Sequence, residues 1–356
     1  MKSQAGRREE LGLRRVRLGV AGLGRIGAIH AENIARTVPS AELVRVVDTD
    51  ELRARALAAK LAVGWSTRYE DLLADPALDG VVIATPTPLH VPMVEAAAEA
   101  GKHVFCEKPI SLDLQSTGAA IAAARRAGVA FQIGFHRRYD PDFEAAAEGI
   151  RSGELGDVYF FRTTLRDKQP PPIEYIAASG GFFVDVTIHD LDAARWLAGE
   201  IEEVTAHGAA LSDTRFTEIG DVDHAVVVLR FANGALGVID ESRVAGYGYE
   251  CWTEVVGSRA TVRIGDHRST DNVWLTPGRA AVDWVDDFTE RFSRAYTREL
   301  EAFAAAVREH RTPAVTGEDG LAAFVLAQAC DRSFRERRTV RLRHEEHVGR
   351  VTYEAA

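Results

Sequence analysis

Short apolar runs alternate with Ala-rich stretches across residues 16–135, and this alternation restricts the fold more than any other feature. The apolar runs have the length of β-strands, and the stretches between them have the spacing of helices. Strands that alternate with helices in this way form βαβ units, so we predict a doubly wound parallel sheet covered on both faces. The predicted strands are VRLGVA (16–21), ELVRVVD (42–48), DGVVIAT (79–85), KHVFCEK (102–108) and VAFQIGF (129–135).

The first predicted strand ends in GLGRIG, where Gly22, Gly24 and Gly27 have G-x-G-x-x-G spacing. A helical stretch from Arg25 to Arg36 follows. Asp48 ends the second strand. Its distance in sequence from Gly27 is close to the separation of about 20 residues expected for an acidic residue that binds the adenosine ribose. By itself the hexapeptide is weak evidence. The predicted strand before it and the predicted helix after it make it specific evidence for dinucleotide binding.

Each glycine has a physical role in this prediction. Gly22 permits a tight turn, Gly24 lets the backbone approach a pyrophosphate, and Gly27 lets the helix pack closely against the strand. The N-terminus of the helix supplies N–H groups and a positive dipole for the phosphates. The sequence therefore predicts a Rossmann domain that binds a dinucleotide.

Asp48 also bears on the choice of cofactor. A carboxylate hydrogen-bonds the ribose hydroxyls of NAD and would repel the 2′-phosphate of NADP. No arginine follows directly in DTDEL, although Arg53 and Arg55 on the next helix weaken the discrimination. We expect NAD as the cofactor.

Polar residues follow three of the predicted strands at the carboxyl edge of the sheet, where ligands bind in doubly wound folds. A residue before a proline is extended, so Lys108 is expected to project from its strand end. A solvated Glu107–Lys108 pair and a helix-start role for His90 are the alternatives. The candidates are Thr85, Pro86, His90, Glu107, Lys108, Arg137 and Arg138.

The run GGFFVDVTIHDLD (180–192) places Asp185 and His189 four residues apart in an apolar segment. On a helix, this spacing puts both side chains, with Asp192, on one face. A helix start with a core histidine, half of a metal site and an acid/base pair are the alternatives. Two residues supply too few ligands for zinc, so we predict no metal. Asp190 and Asp192 are assigned to capping and to the charged start of the helix.

The second half of the chain has strand pairs and one long helix. Residues 224–240 predict a hairpin that turns at Asn233-Gly234. Residues 254–264 predict another pair that turns at Gly257-Ser258. Apolar residues at helical spacing across 288–307 predict an amphipathic helix whose aromatic side chains pack in the core.

Composition excludes several classes of protein. The 356 residues carry a formal net charge of −10, which disfavours nucleic acid or an anionic membrane as a partner. Three separated cysteines argue against a disulfide scaffold. No apolar run is long enough to span a bilayer, and the basic N-terminus lacks the apolar region of a signal peptide. We expect a cytoplasmic protein with a flexible extension at residues 1–14.

Together these motifs resemble the Gfo/Idh/MocA oxidoreductases, from about Val16 to Leu342. The matching strings are GLGRIG, CEKP, GFHRRYD and the GG…D-x-x-x-HD-x-D pattern of residues 180–192. RDKQPPPIEYIAASGG, GDVDHAVV and YGYE resemble the inositol 2-dehydrogenases of the family. The resemblance implies a Rossmann domain at 15–136, a substrate-binding α/β domain with an open, mainly antiparallel sheet at 137–345, and a tail at 346–356. It also implies a homo-oligomer, a dimer or a homotetramer, formed through that sheet.

The resemblance further implies NAD-dependent oxidation of a secondary alcohol in a cyclic polyol such as inositol. A sugar dehydrogenase or reductase and a non-catalytic NAD(H) sensor are the alternatives. Some inositol dehydrogenases carry Asn where this chain has Asp167, which leaves the polyol open. Catalytic roles fall on Lys108, Asp185 and His189. Cofactor contacts fall on Gly22, Gly24, Arg25, Ile26, Gly27, Asp48, Thr85, Pro86, His90, Glu107 and Lys108, and substrate contacts on Lys108, Arg137, Asp167, Asp185, His189 and Tyr249.

Overall fold

A computed structural model describes residues 14–265, 268–345 and 350–355, with side chains described through residue 343. Two compact units form. Among the described residues, the first unit contains 14–136 together with Arg294–Leu321, and the second contains 137–265, 268–293, 322–345 and 350–355. The division after residue 136 lies where the sequence analysis divides the domains, but residues 294–321 group with the first unit and so interrupt the predicted range 137–345.

The described residues contain sixteen strands and twelve α-helices. The strands are β1 (Val16–Ala21), β2 (Ala41–Val47), β3 (Gly64–Ser66), β4 (Gly80–Ile83), β5 (His103–Cys106), β6 (Phe131–Ile133), β7 (Val158–Arg166), β8 (Ile201–Ala209), β9 (His224–Phe231), β10 (Leu236–Ser242), β11 (Glu250–Gly257), β12 (Thr261–Ile264), β13 (Arg268–Thr276), β14 (Arg279–Trp284), β15 (Val340–Glu345) and β16 (Arg350–Ala355). The helices are α1 (Arg25–Arg36), α2 (Glu51–Leu61), α3 (Glu70–Leu73), α4 (His90–Glu99), α5 (Leu114–Ala127), α6 (Pro141–Arg151), α7 (Ile173–Ala178), α8 (Ile188–Ala198), α9 (Thr214–Glu218), α10 (Phe288–Arg291), α11 (Ser293–Arg308) and α12 (Gly317–Glu336).

The first unit is built on a parallel sheet with strand order β3-β2-β1-β4-β5-β6. This is the order of a doubly wound dinucleotide-binding fold, and it confirms the predicted architecture. The strand order reverses between β1 and β4. The loops that follow these two strands therefore flank the crevice in which such folds bind their ligand.

Helix α11 explains why residues 294–321 return to the first unit. Its side chains Leu300, Phe303 and Val307 belong to the same buried cluster as Leu18 of β1 and Phe105 of β5. Burying three large apolar side chains contributes several kcal/mol, about 1.5–3 kcal/mol each. The later part of the apolar face that the sequence predicts for 288–307 thus packs on the parallel sheet.

The predicted helix 288–307 is not continuous. It is divided into α10 and α11 at Phe292, whose backbone leaves the helical region with φ −107° and ψ 17°. The Phe292 ring is completely buried and lies 4.6 Å from the Arg291 guanidinium carbon. The break therefore allows Phe292 to enter the core of the second unit, which a straight pattern of helical spacing does not reveal.

The second unit contains a sheet with strand order β12-β11-β7-β10-β9-β8-β15-β16. β7 and β10 are parallel, and the other neighbouring pairs are antiparallel. The hairpin at Asn233-Gly234 is confirmed as β9–β10, and the pair around Gly257 is confirmed as β11–β12. A mixed, mainly antiparallel sheet agrees with the predicted second domain.

The chain ends differ in part from the predictions. Residues 1–13 lie outside the described residues, and Arg14 forms an ion pair of 2.7 Å with Asp79. Within the predicted tail, residues 350–355 form β16 and pair with β15. Among the described helices, none has the length and apolar character that crossing a bilayer requires.

Candidate active site

The glycine-rich turn after β1 has the geometry that its spacing predicts. Gly22 has φ +84°, and a Cβ there would lie 2.6 Å from the Ala84 carbonyl oxygen. A Cβ on Gly27 would lie 1.8 Å from the Gly22 oxygen, so the helix packs against the turn with no room for a side chain. Gly24 faces open space, with no atom within 4 Å of its Cβ position. The turn is closed toward the protein and open on the side that a ligand would approach.

Helix α1 begins directly after Gly24. Arg25 and Ile26 form its first turn, which contains no acidic residue. The positive end of the helix dipole is therefore not neutralised by a carboxylate of its own first turn. An anion such as a pyrophosphate is favoured at this position.

Asp48 is bonded to the turn itself. Its Oδ2 accepts a hydrogen bond from the Leu23 amide at 2.7 Å, and its Oδ1 accepts one from the Asp50 amide at 2.9 Å. Arg53 donates to Oδ2 at 3.3 Å. The buried carboxylate thus connects the ends of β1 and β2 at the place where a ribose is expected.

His90 connects the loop after β4 to the loop after β5. Its Nε2 lies 2.8 Å from the Thr85 carbonyl oxygen, and its Nδ1 lies 2.8 Å from the Pro109 carbonyl oxygen. Burial lowers the pKa of His90, although these carbonyl oxygens oppose the shift. Both ring nitrogens face backbone atoms, so His90 fixes two loops at the crevice, and its predicted cofactor contact stays a prediction. Pro86 precedes the short 3₁₀ turn Thr87–Leu89 in the same loop.

Glu107 and Lys108 follow the end of β5. The Glu107 Oε1 lies 2.7 Å from Nε2 of His30, a buried histidine on α1. Its Oε2 accepts a hydrogen bond from the Lys108 backbone amide at 3.3 Å. The alternative of a simple solvated pair does not describe Glu107, because its carboxylate is tied to a buried imidazole. Sequence reasoning missed His30, although it lies three residues after Gly27 on the predicted helix.

In the second unit, Asp185 and His189 lie on consecutive helical segments. Residues Phe183–Thr187 form a π-helical turn, and α8 continues from Ile188. Asp185 therefore lies in the wider turn, and His189 lies at the start of the regular helix with its side chain half-buried. π-Helical turns within α-helices occur frequently at functional sites.

Asp185 is held by two partners that the sequence analysis did not identify. Arg243 donates to its Oδ2 at 3.0 Å, and the Tyr175 hydroxyl donates to its Oδ1 at 3.1 Å. The Arg243 side chain is 1% exposed, and its guanidinium carbon lies 5.3 Å from the centre of the Phe182 ring. The carboxylate is thus fixed by a buried positive charge. Arg243 comes shortly after the end of a predicted strand, in ESRVAG. This position is the sequence signal that would have indicated Arg243 as a site residue.

Asp190 lies in the first turn of α8 as predicted, but neither Asp190 nor Asp192 caps the helix. Asp190 receives two hydrogen bonds from Arg137, at 2.5 and 3.0 Å, and Asp192 receives two from Arg138, at 2.9 and 2.6 Å. Both carboxylates are buried. A buried carboxylate without a charged partner costs more free energy than a helix end without a cap. Arg137 is 2% exposed, so its predicted contact with substrate stays a prediction.

Glu241 lies behind the same helix and was also missed. The Thr187 hydroxyl donates to its Oε2 at 2.5 Å. Burial, and then the neighbouring Asp190, raise the pKa of Glu241 well above its ordinary value. Both effects favour the neutral form of the Glu241 carboxyl group.

Asp167 and Tyr249 are the remaining predicted substrate contacts. Asp167 follows β7, is half-buried, and donates its backbone amide to Ser242 at 2.9 Å. Tyr249 is 3% exposed, and its carbonyl oxygen accepts a hydrogen bond from Trp284 at 2.7 Å. Burial raises the pKa of the Tyr249 hydroxyl, which is therefore neutral and able to donate. The two residues lie in the same unit as Asp185 and His189.

Known proteins resemble this chain over nearly its whole length. The model of the oxidoreductase family's NAD-binding Rossmann fold matches residues 16–135, and the model of the family's C-terminal α/β domain matches residues 147–342. A myo-inositol 2-dehydrogenase of Thermotoga maritima is 44% identical over 94% of this chain and all of its own. A scyllo-inositol 2-dehydrogenase (NAD(+)) of Bacillus subtilis is 40% identical over 92% of this chain and 96% of its own.

A crystal structure of scyllo-inositol dehydrogenase from Lactobacillus casei, with bound NAD(H) and scyllo-inositol, is also similar. It has a TM-score of 0.85 and 28% identity, covering 92% of this chain and 99% of its own. Both family models, the length of these matches and the Rossmann fold of the first unit indicate the same family. This chain belongs to the Gfo/Idh/MocA family and is an NAD-dependent oxidoreductase.

Proposed function

We propose that the enzyme oxidises a secondary alcohol of an inositol to a ketone with NAD. The observation that carries this proposal is full-length similarity, at 44% and 40% identity, to proteins named as myo- and scyllo-inositol 2-dehydrogenases. Matches of this length cover residues of both units. The geometry of the candidate site residues supports the same reaction.

The first unit would hold NAD through the glycine turn and Asp48. The open space at Gly24 accommodates a pyrophosphate, and the Asp48 carboxylate accepts hydrogen bonds from ribose hydroxyls. The bound nicotinamide supplies a hydride acceptor. The remaining requirements are a base for the hydroxyl proton, groups that orient the alcohol, and positive charge near the developing alkoxide.

We assign the role of general base to His189. Oxidation breaks the carbinol C–H bond with loss of a hydride and the O–H bond with loss of a proton, which His189 accepts. Asp185 is less suited to this role, because an ion pair with buried Arg243 and a hydrogen bond from Tyr175 both stabilise its ionised form. Asp185 instead orients the imidazole or accepts a hydrogen bond from a substrate hydroxyl.

We assign Lys108 to electrostatic stabilisation of the alcohol oxygen. The amine is a compact cation at the end of a strand whose backbone is fixed by Glu107. A positive charge near that oxygen favours the alkoxide form and so assists both transfers. Arg137, Asp167 and Tyr249 are proposed as further substrate contacts.

The proposal is tested by a panel of inositol isomers and pyranoses, each with NAD and with NADP, followed by nicotinamide absorbance. We expect the highest kcat/KM with an inositol and NAD. Higher kcat/KM with a pyranose would replace the inositol assignment by a sugar dehydrogenase, the alternative that Asp167 leaves open. A Lys108→Met variant should lose turnover by orders of magnitude while retaining NAD binding, and Lys60→Met, at an exposed lysine of α2, is the control.

We further propose a cytoplasmic homo-oligomer, a dimer or tetramer formed through the large sheet. Val226, Val228 and Leu236 are between 42% and 49% exposed on one face of β9 and β10, which would be covered in such an assembly. Light scattering of Val228→Glu tests this, with Leu52→Glu as a control on an exposed residue of the first unit. A mass equal to one chain in the wild-type protein would contradict the proposal. The cytoplasmic location is supported by three buried cysteines that are free thiols.

A further inference from the structure

A buried cluster of three titratable side chains lies in the first unit, behind the strand end that carries Lys108. His30 on α1, Glu107 after β5 and Glu299 on α11 offer ligand or donor atoms within 4.8 Å of one another. Glu299 is completely buried, and within the described residues neither of its carboxyl oxygens has a hydrogen-bond partner. An unpaired buried carboxylate is costly, so this group requires an explanation.

The imidazole of His30 lies between the two acidic groups. Its Nε2 is 2.7 Å from Glu107 Oε1, and its Nδ1 is 4.0 Å from Glu299 Oε1. The second distance exceeds a hydrogen bond, but a small rotation of the carboxyl group or one bridging water closes it. Phe105 and Tyr296 contact the ring edge-on, with centroids 5.1 and 5.9 Å away, and hold it in this orientation.

We propose that Glu299 is a positioning residue whose carboxyl proton is donated to Nδ1 of His30, so that Nε2–H is directed to Glu107 and fixes Glu107 beside Lys108. A neutral imidazole carries its proton on one nitrogen only, and the partner of the other nitrogen decides which. A neutral Glu299 is the donor that selects the Nε2–H form. The proposal rests on the role assigned above to Lys108.

The charges around Glu299 agree with a neutral carboxyl. Burial, and then the negative charge of Glu107, raise the pKa of Glu299 well above its ordinary value. The other groups that face it are His30 and the Gln132 side chain, which donates to the Glu299 backbone oxygen at 2.9 Å. Tyr296, one turn earlier on α11, contacts His30 and stacks on the His136 ring at 4.8 Å.

A divalent cation is the competing explanation for two glutamates and a histidine. One cation would need a single nitrogen of His30 directed at the same point as both carboxylates. Instead, each nitrogen faces a different carboxylate, which is the arrangement of a hydrogen-bonded chain. The geometry therefore favours a proton over a metal ion at this position.

The first test is thermal unfolding of the wild-type protein and Glu299→Gln between about pH 5 and about pH 8. A carboxyl group whose pKa is higher in the folded than in the unfolded state stabilises the fold. This stabilisation is complete at pH values below the unfolded-state pKa, and it is lost as pH rises toward the folded-state pKa. The Gln variant has no such loss. Its Tm should therefore increase relative to wild type as pH rises, whereas Glu70→Gln, at an exposed glutamate of α3, should show no such trend.

A constant Tm difference across this pH range would mean that Glu299 is ionised in the folded protein and would overturn the proposal. The proposal would also be overturned if elemental analysis found one transition-metal ion per chain in the wild-type protein and none in Glu299→Gln. Because neither measurement uses a substrate, both are independent of the alcohol that the enzyme oxidises.

The second test compares Glu299→Leu with Glu299→Gln in steady-state kinetics. Leu removes the donor and leaves Nδ1 of His30 unsatisfied, so we expect kcat to fall by about tenfold or more. The Gln amide donates to the same nitrogen and should restore most of the lost kcat, with the KM for the alcohol little changed in both variants. Equal loss in the two variants, with unfolding unchanged, would contradict the positioning role.

Discussion

The two regions proposed to carry the reaction are built in different ways. The cofactor region is formed mainly by backbone, namely a glycine turn and the start of α1, with the Asp48 carboxylate bonded to that turn. The region around residues 183–192 is formed by side chains that are buried and charged, among them Asp185 with Arg243 and Asp190 with Arg137. The first depends on where a side chain is absent, and the second on which charges are paired.

This difference teaches how each region responds to change. A backbone site is sensitive to a single added methyl group but tolerates many side chains around it. A site made of buried ion pairs is sensitive to the loss of either partner, because the remaining charge cannot be solvated. Variants in the two regions should therefore fail in different ways, in affinity for NAD or in turnover and folding.

The largest effect is expected in the second region, from His189→Ala. Loss of a general base lowers kcat by typically about 10²–10⁴-fold. NAD binding, followed by fluorescence titration, should change little, since the proposed nucleotide contacts lie in the first unit. His207→Ala removes an exposed histidine of β8 and is the matched control. Turnover near that of wild type in His189→Ala would end its assignment as the base.

Next in size is Arg243→Met, which removes the buried partner of Asp185. Breaking a buried pair by removing one member costs about 3–5 kcal/mol. We expect that loss in the free energy of unfolding, measured with urea, and a large fall in kcat in the protein that remains folded. Arg151→Met, at an exposed arginine of α6 in the same unit, should change neither quantity by much. Unfolding energies that are equal in the two variants would show that the Asp185 pair contributes no stability.

Most of the fold was predictable because it depends on local patterns. The alternation of strands and helices gave the parallel sheet, and the helix from Arg25 to Arg36 has the bounds that were predicted. Asn233-Gly234 correctly indicated a hairpin. The break at Phe292 was not predictable, because it depends on packing against Tyr249 and Arg137, which are distant in the chain.

The candidate site was predictable only in part, for the same reason. Glycine spacing reports backbone geometry directly, so the turn after β1 was predictable, whereas the ribose contact of Asp48 stays a prediction. Arg243 contacts Asp185 across 58 positions of sequence, and Arg137 contacts Asp190 across 53. No periodicity relates such partners. Asp190 and Asp192 were therefore interpreted by their local position on a helix, whereas their burial next to arginines decides their role.

A pair of glycine variants sharpens the comparison within the first region. Gly27→Ala places a methyl group on the Gly22 carbonyl oxygen, so we expect a loss of stability of about 1–3 kcal/mol from overpacking. Gly24→Ala meets no protein atom and should unfold like wild type. Its methyl group would instead obstruct the pyrophosphate, and calorimetry should show weaker NAD binding. Normal NAD affinity in Gly24→Ala would place the phosphates elsewhere.

The smallest of these effects is expected for Asp48→Ala, because water and neighbouring groups replace part of what is lost. Removal of the carboxylate should weaken NAD binding by about tenfold, the value of one hydrogen bond to a charged group. It also frees Arg53, which lies 3.3 Å from that carboxylate, to approach the 2′-phosphate of NADP. The ratio of kcat/KM for NAD to that for NADP should therefore fall.

Asp50→Ala is the control, because Asp50 also pairs with Arg53 but does not bond the glycine turn. An unchanged ratio in Asp48→Ala would mean that backbone alone selects the cofactor, and the contrast between the two regions would be sharper than proposed here.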